Sequence, residues 1–406
     1  MARFRRRSGV PHLVGPAEHQ TTIFDRLEVI QRLVEVHDPV RPAVKLLCVV
    51  LAMMGLGLLL QASHAATILA PDAFVAEVVE QSLFRILGLT ALLVAFRLGP
   101  ERVRPMLPAL VIAAGVMLLL VWMPWIGKPE NGSHRWIRVP ILGLSFQPSE
   151  FARIVMVIWV ADRCTRLGDR LHDLRRGLLP ILAVCYVFFG LIALETDLGG
   201  ALLFLICFTC TLWVGGARSG QLAFLVISGC TLVVVFTVIN YGYIRNRIAV
   251  FLGHEQNAQV SQSVEALGSG GVFGVGLGRG LYRNHGVPYQ DSDYVFALVG
   301  EELGLFGMLL CLGLSLALVW FAMRFVLSLP DRFSALAAFG LLLSVGMQTI
   351  IHMGVVTGLA PPKGMNLPFV SDGGTSLLIS TLAVGLALGA ARTGPGSSSI
   401  PPLPRA

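Results

Sequence analysis

The sequence predicts an all-α, polytopic membrane protein with about ten transmembrane helices. Apolar residues make up 55% of the 406 residues and charged residues only 14%, and the mean hydropathy is +0.73. A soluble domain carries about 25% charged residues, so lipid must be the solvent for much of this chain. Apolar windows long enough to cross a bilayer recur at 44–61, 79–97, 107–125, 149–162, 178–195, 199–215, 221–242, 295–323, 335–358 and 374–391.

The distribution of basic residues predicts the orientation. Most of the 31 basic residues fall in segments that a cytoplasmic N-terminus would place inside, so the positive-inside rule predicts that both termini are cytoplasmic. We expect a basic cytoplasmic segment at 1–40, a transmembrane domain at 41–392 and a disordered tail at 393–406. The basic segment is typical of a lipid-facing tail, and no nucleic-acid partner is expected.

Three segments on the predicted outer side hold most of the glycine, proline and polar residues outside the termini: 126–148, 243–294 and 359–373. The longest, 243–294, lies between predicted helices seven and eight. The last is too rich in proline and glycine for a regular helix and is predicted to be re-entrant, covered by protein or by a cavity. Because all three open on one side, a single extracytoplasmic site could draw on them together.

Charged residues at the ends of apolar windows are candidates for function. Glu150 and Arg153 are three residues apart and can pair on one helix face. The pair is either structural, or Arg153 offers its charge to an anionic ligand while Glu150 holds it in place. Asp197 lies between windows five and six, where it either caps the next helix or takes part in chemistry.

The longest outer segment contains Gln259 and Gln262, then a glycine-rich run at 268–280. No βαβ unit surrounds the run, which argues against a dinucleotide site. We instead expect a flexible cradle that approaches a ligand closely. The flanking arginines suit a phosphate or pyrophosphate group; they are Arg245, Arg247, Arg279 and Arg283.

Acidic residues gather where this segment meets window eight. Asp291 and Asp293 are two residues apart, and Glu301 and Glu302 follow. A carboxylate at the mouth of a helix suits a general base or a ligand of a divalent metal, although a solvated acidic turn is an equal alternative. Lys363 adds a cation to the same outer face.

Six motifs, in order along the chain, resemble the SEDS proteins, the RodA/FtsW/SpoVE family. They lie at 131–137, 147–150, 197–199, 262–278, 287–304 and 367–376. The resemblance extends from about residue 38 to residue 392. Lys363 within Pro-Pro-Lys-Gly and the Asn-Gly-x-x-Arg-Trp form of the first motif look more like the FtsW branch than like RodA.

The resemblance implies a ten-helix peptidoglycan glycosyltransferase in the bacterial cytoplasmic membrane. Such enzymes polymerise lipid II, the undecaprenyl-pyrophosphate-linked disaccharide-pentapeptide, on the outer face of that membrane. They work with a class B penicillin-binding protein and other divisome or elongasome membrane proteins. A divalent cation, Mg or Mn, is a candidate cofactor.

The family's catalytic aspartate falls on Asp293, which would take the proton of the attacking 4-hydroxyl. The family's other functional positions fall on Glu150, Arg153 and Asp197. Further substrate-binding candidates, within or beside the matching motifs, are Arg135, Arg247, Gln259, Gln262, Arg279, Arg283, Lys363 and Ser371. The cations among them would stabilise the departing pyrophosphate.

The chain departs from the family pattern at several positions. Asp291 replaces a histidine, so the base could be a coupled pair of aspartates. Arg153 replaces a lysine, Asp372 a tyrosine, and His352 stands where asparagine is common. A lipid flippase or transporter, which also uses buried charges and broken helices, is the main alternative. A catalytically inactive scaffold of the division machinery is the other.

Overall fold

The computed structural model describes residues 38–68, 70–130, 133–139, 144–240, 242, 258–280 and 292–392. Within these ranges every predicted apolar window coincides with a helix. These helices are α1 Val40–Ile68, α2 Pro71–Val103, α3 Leu107–Leu120, α4 Pro148–Leu167, α5 Leu179–Leu194, α6 Leu198–Val214, α7 Ser219–Asn240, α9 Val295–Leu327, α10 Arg332–Val356 and α11 Gly374–Gly389. A further helix, α8, covers Ala258–Ser269.

Six segments of the described residues are long and apolar enough to cross a bilayer, and one of them contains both α2 and α3. The predicted helical membrane fold is therefore confirmed.

The predicted N-terminal segment lies almost wholly outside the described residues, and so does the predicted tail. The domain boundaries at 40 and 392 stay predictions.

The first outer segment adds a feature that the all-α prediction did not include. Three short strands form an antiparallel sheet in the order β1-β2-β3: β1 Gly127–Glu130, β2 Ser133–Val139 and β3 Leu144–Phe146. The Ser133 hydroxyl donates to the backbone carbonyl of Glu195 at 2.9 Å, which ties β2 to the turn between α5 and α6. This contact holds the start of β2 against the turn between these two helices.

The glycine-rich run, predicted to be a flexible cradle, lies against helix α9. Helix α9 breaks at Gly304, whose φ of 64° is left-handed, and the break leaves backbone groups without helical partners. Residues 270–278, here called the glycine strap, satisfy them. The Leu305 amide donates to the Gly271 carbonyl at 2.9 Å, and the Gly276 amide donates to the Glu302 carbonyl at 3.1 Å. The glycines allow the strap to approach helix α9 closely.

The segment between α10 and α11 is non-helical, as its composition predicts, and its residues 367–371 are buried. We call residues 359–373 the re-entrant stretch. Leu367 and Phe369 are each 1% exposed, and Val370 is fully buried. The Gln61 side chain on α1 donates to the Val370 carbonyl at 3.1 Å, so a buried backbone group is satisfied.

Candidate functional site

A cavity of about 510 Å³, including space open to the outside, lies where the three outer segments meet. Its predicted residues come from β2, the start of α4, the start of α6, the residues before α9, and the re-entrant stretch. They are Arg135, Glu150, Arg153, Asp197, Asp293 and Lys363. Two of these segments, 126–148 and 359–373, join helices that pack side by side, and residues 292–294 before α9 complete the cavity wall.

Asp293 lies just before the first turn of α9 and is partly exposed. Its carboxylate lies against the backbone of Gly364, where a Cβ atom would collide with Oδ2. Only glycine therefore leaves room at position 364 for this carboxylate. A partly exposed carboxylate in a cavity can exchange protons with a bound hydroxyl, as a general base must.

Asp197 and Lys363 form a buried ion pair at 3.3 Å between Oδ1 and Nζ. Asp197 also accepts hydrogen bonds from the Gly200 amide at 3.0 Å and from Gln147 at 2.9 Å, so it does cap α6. Burial alone would raise the pKa of Asp197, but Lys363 and Arg135 outweigh burial and lower this pKa to about 2. Burial lowers the pKa of Lys363 to about 8, against the opposing effect of Asp197. Asp197 is therefore a fixed negative charge at neutral pH.

Glu195 lies two residues before Asp197, and its carboxyl group is neutral where that of Asp197 is ionised. Its side chain is fully buried, and neither carboxylate oxygen has a hydrogen-bond partner in the part of the chain that the structure describes. Burial raises the pKa of Glu195 to about 9, with a smaller contribution from Asp197. The turn thus holds one neutral and one ionised carboxyl group, and only the ionised one reaches the cavity.

Glu150 and Arg153 line the cavity but do not form the predicted pair. The Ser376 hydroxyl donates to Glu150 Oε1 at 2.9 Å, while Arg153 donates to Gln348 Oε1 at 2.9 Å. Partners on α10 and α11 therefore replace the expected contact within one helix. The second oxygen of Glu150 and Nε of Arg153 are buried without partners among the described residues.

Several cavity residues were not among the predicted site residues. Gln147 bonds Asp197, and the Gln348 amide donates to the Asn366 carbonyl at 3.0 Å. Trp136 on β2 and Ser149 on α4 also line the cavity. Gln147 stands inside a quoted motif, and Gln348 is a polar residue within an apolar window. These two features are the signals in the sequence that could have identified Gln147 and Gln348 as site residues.

The structure places the other predicted residues elsewhere. Gln259 and Gln262 lie on α8, and Arg279 is exposed beside the glycine strap; none lines the cavity. Ser371 lies behind the cavity, where its hydroxyl donates to the Ser292 carbonyl at 2.6 Å. The remaining predicted positions lie outside the described residues; they are Arg247, Arg283 and Asp291.

Comparison with known proteins identifies the family. The FtsW/RodA/SpoVE family model, described as "Cell cycle protein", matches residues 42–394. A relative from Trichlorobacter lovleyi, named "Probable peptidoglycan glycosyltransferase FtsW", is 35% identical over 84% of this chain and 91% of its own length. That relative supports the predicted FtsW-like branch.

Solved structures agree with this assignment. One, from a study of how a peptidoglycan synthase complex coordinates polymerization and crosslinking, has a TM-score of 0.70 and 26% identity, covering 86% of this chain and 96% of the other. The rod shape determining protein RodA of Thermus thermophilus has a TM-score of 0.63 and 25% identity, covering 86% and 95%. The chain is a multi-pass membrane protein that belongs to the FtsW/RodA/SpoVE family of cell cycle proteins.

Proposed function

We propose that this chain is a peptidoglycan glycosyltransferase that polymerises lipid II at the outer face of the bacterial cytoplasmic membrane. The observation that carries the proposal is the position of Asp293, a partly exposed carboxylate in the same cavity as Arg135, Arg153 and Lys363. A base beside several cations suits a reaction that removes one proton and releases one polyanion. The names of the relatives support the same reaction class.

In this reaction the 4-hydroxyl of the acceptor sugar attacks the anomeric carbon of the donor. Asp293 accepts the hydroxyl proton as the new glycosidic bond forms. The bond from the anomeric carbon to the lipid pyrophosphate breaks, and the pyrophosphate leaves with the bonding electrons. Asp291 lies outside the described residues, so its share in the base remains the prediction made from sequence.

The cations of the cavity are suited to the leaving group. Nε of Arg135 and Nε of Arg153 are buried and have no hydrogen-bond partner among the described residues. Guanidinium groups bind phosphate oxygens through several donors at once. Lys363, already paired with Asp197, is held in place rather than free to move. We assign pyrophosphate binding mainly to the two arginines and electrostatic support to Lys363.

The divalent cation predicted from the resemblance, Mg or Mn, has no role in the steps proposed above. Among the residues that the structure describes, no group of three His, Cys, Asp or Glu side chains could hold a metal ion. The described residues thus do not fit a metal site built from protein ligands, and no step is routed through one. Adding Mg or Mn back after chelation tests whether the polymerisation rate depends on either ion.

The polyprenyl tail needs an apolar path. A groove of about 460 Å³ between α9 and α10 is lined by apolar side chains, among them Met323, Phe339 and Met347. Met347 is the neighbour of Gln348, which lines the cavity. Helix α10 therefore connects the polar site with an apolar surface, and we assign the tail to this groove.

A class B penicillin-binding protein is the proposed partner. The solved complex that coordinates polymerization and crosslinking supports this assignment. Other divisome or elongasome membrane proteins are further proposed partners. Co-purification with the transpeptidase, followed by localisation to the septum or the side wall, tests both assignments.

Polymerisation of purified lipid II by the purified chain tests the proposed function. We expect glycan strands from the native chain and none from Asp293→Ala. The flippase alternative predicts translocation of lipid II without polymer, unaffected by this substitution. The scaffold alternative predicts neither activity while the partner still binds. Either of these outcomes would overturn the proposal.

A further inference from the structure

A second buried polar cluster lies behind the re-entrant stretch, and its residues do not line the cavity. Its centre is Arg85 on α2, which is 7% exposed. The guanidinium donates to the Met54 carbonyl at 3.2 Å, the Gln81 carbonyl at 2.9 Å and Gln61 Oε1 at 2.8 Å. Within the described ranges no carboxylate touches it directly. A buried cation needs a counter-charge, which must come through an intermediate group.

Gln81 provides that connection. Its Nε2 donates to Asp372 Oδ1 at 2.8 Å and to Glu77 Oε1 at 3.0 Å, and its Oε1 accepts from Arg85 at 3.4 Å. An amide has one end that donates and one that accepts, so a cation on one side and an anion on the other fix its orientation. The Asp372 carboxylate also acts electrostatically on Arg85. We call Arg85, Gln81 and Asp372 the bridged charge couple.

The bridged charge couple is connected to the residues around Asp293. Asp372 directly follows Ser371, whose hydroxyl donates to the carbonyl of Ser292 at 2.6 Å. The same hydroxyl accepts from the Leu367 amide at 2.8 Å. Ser292 in turn precedes Asp293. A displacement of Asp372 would therefore move Ser371 and, through Ser292, the carboxylate in the cavity.

A second connection runs through α1. Gln61, which accepts from Arg85, donates to the Val370 carbonyl at 3.1 Å. A Cβ at Gly57, one turn earlier, would collide with the Phe369 and Val370 carbonyls. Phe369 itself adopts a left-handed φ of 69°, a conformation that surrounding contacts must hold in place. Arg85 is thus linked to the re-entrant stretch at two points, to Val370 through Gln61 and to Asp372 through Gln81.

We propose that Arg85 and Asp372 are positioning residues for the glycosyl transfer, which together hold the re-entrant stretch so that Asp293 meets the acceptor hydroxyl. The inference rests on the proposed function.

Asp372→Asn tests the proposal, with Glu80→Gln as the matched control: it removes one acidic charge from an exposed position on α2. We expect Asp372→Asn to lower kcat by about 10- to 100-fold, the usual effect of misplacing a reacting group, with KM for lipid II little changed. Amides at 367–373 and 292–294 should exchange hydrogen faster in the same variant. Asp372→Glu, which keeps the charge, should retain most of kcat.

The double variant R85Q/D372N separates the charge couple from simple loss of packing. Removing both charges leaves no buried charge uncompensated, so kcat and the exchange rates should recover towards the native values. Native kcat and exchange in Asp372→Asn, or strictly additive losses in the double variant, would overturn the proposal. If the native chain makes no glycan, the proposed function fails, while the exchange measurements still test the couple by themselves.

Discussion

The Asp293 carboxylate lies so close to Gly364 that any side chain at position 364 would collide with it. The preceding residue, Lys363, pairs with Asp197 at 3.3 Å. Two adjacent residues of the re-entrant stretch therefore contact the two aspartates that matter most in the site. This arrangement makes the position of that stretch decisive for the chemistry.

Gly364→Ala should displace the Asp293 carboxylate. We expect kcat to fall about 10- to 100-fold, because misplacing a reacting group by about 1 Å has effects of that size. The measurement is the initial rate of lipid II polymerisation. Gly190→Ala, where an added Cβ meets nothing within 4 Å, is the matched control and should retain the native rate. Equal rates for the two variants would contradict the contact.

The pH dependence of kcat/KM should report the protonation state of Lys363. Burial lowers its pKa to about 8, so the ammonium is present at neutral pH and is lost as pH rises through that value. We expect kcat/KM to decline above pH 8, with a limiting slope of about tenfold per pH unit. Lys363→Arg should move this decline to higher pH, since arginine stays charged. Lys45→Arg, at an exposed position on α1, should leave the profile unchanged. An unmoved profile in Lys363→Arg would argue against the assignment.

Asp197→Asn should destabilise the protein by about 3–5 kcal/mol, because Lys363 is left buried without its partner. Asparagine still caps α6, so the loss reports the charge rather than the cap. The free energy of unfolding in detergent is the measurement. Asp173→Asn, at an exposed cap of the turn at Leu174–Leu178, is the matched control and should lose about 1 kcal/mol or less.

The single variant Lys363→Met and the double variant D197N/K363M form a double-mutant cycle with Asp197→Asn. Removing both charges should cost less than Asp197→Asn alone, since no buried charge remains uncompensated. The lowered pKa of Asp197 also means that this stabilisation is present above its usual pKa of about 3.9. It should be lost as pH falls towards 2. Additive effects of the two single variants would show that the pair has no net coupling.

Gly304→Ala should loosen the glycine strap. Gly304 has a left-handed φ of 64°, and a Cβ there would collide with the Gly274 amide. We expect a loss of about 1–3 kcal/mol and faster hydrogen exchange at 270–278. Gly313→Ala, on the same helix where a Cβ meets nothing within 4 Å, should be neutral or slightly stabilising. Unchanged exchange in Gly304→Ala would mean that the strap does not depend on the helix break.

Hydropathy predicts the helices because the bilayer demands a fixed apolar length, and every predicted window contains a helix. The short sheet at 127–146 escaped prediction, since strands of three to seven residues leave little pattern. The glycine strap shows a different limit. Its composition indicates close backbone approach but not the approaching group, which proved to be the broken helix α9.

In the site, too, the sequence predicts which residues are candidates but not which residues they contact. Charges near the ends of apolar windows identify Glu150, Arg153 and Asp197 as candidates, because such charges are costly in a membrane. Their partners could not be predicted: Arg153 bonds Gln348, a residue 195 positions away. Helical spacing suggests contacts within one helix, whereas packing between helices decides which contacts form.

The isosteric substitution Asp293→Asn tests the central claim most directly, because it removes the base without changing the volume of the side chain. Lipid II binding and kcat are measured on the same purified protein. The account predicts nearly native affinity for lipid II and a kcat lowered by about 10²- to 10⁴-fold, the range for loss of a general base. A kcat close to the native value, with binding intact, would contradict the assignment of Asp293 as the base.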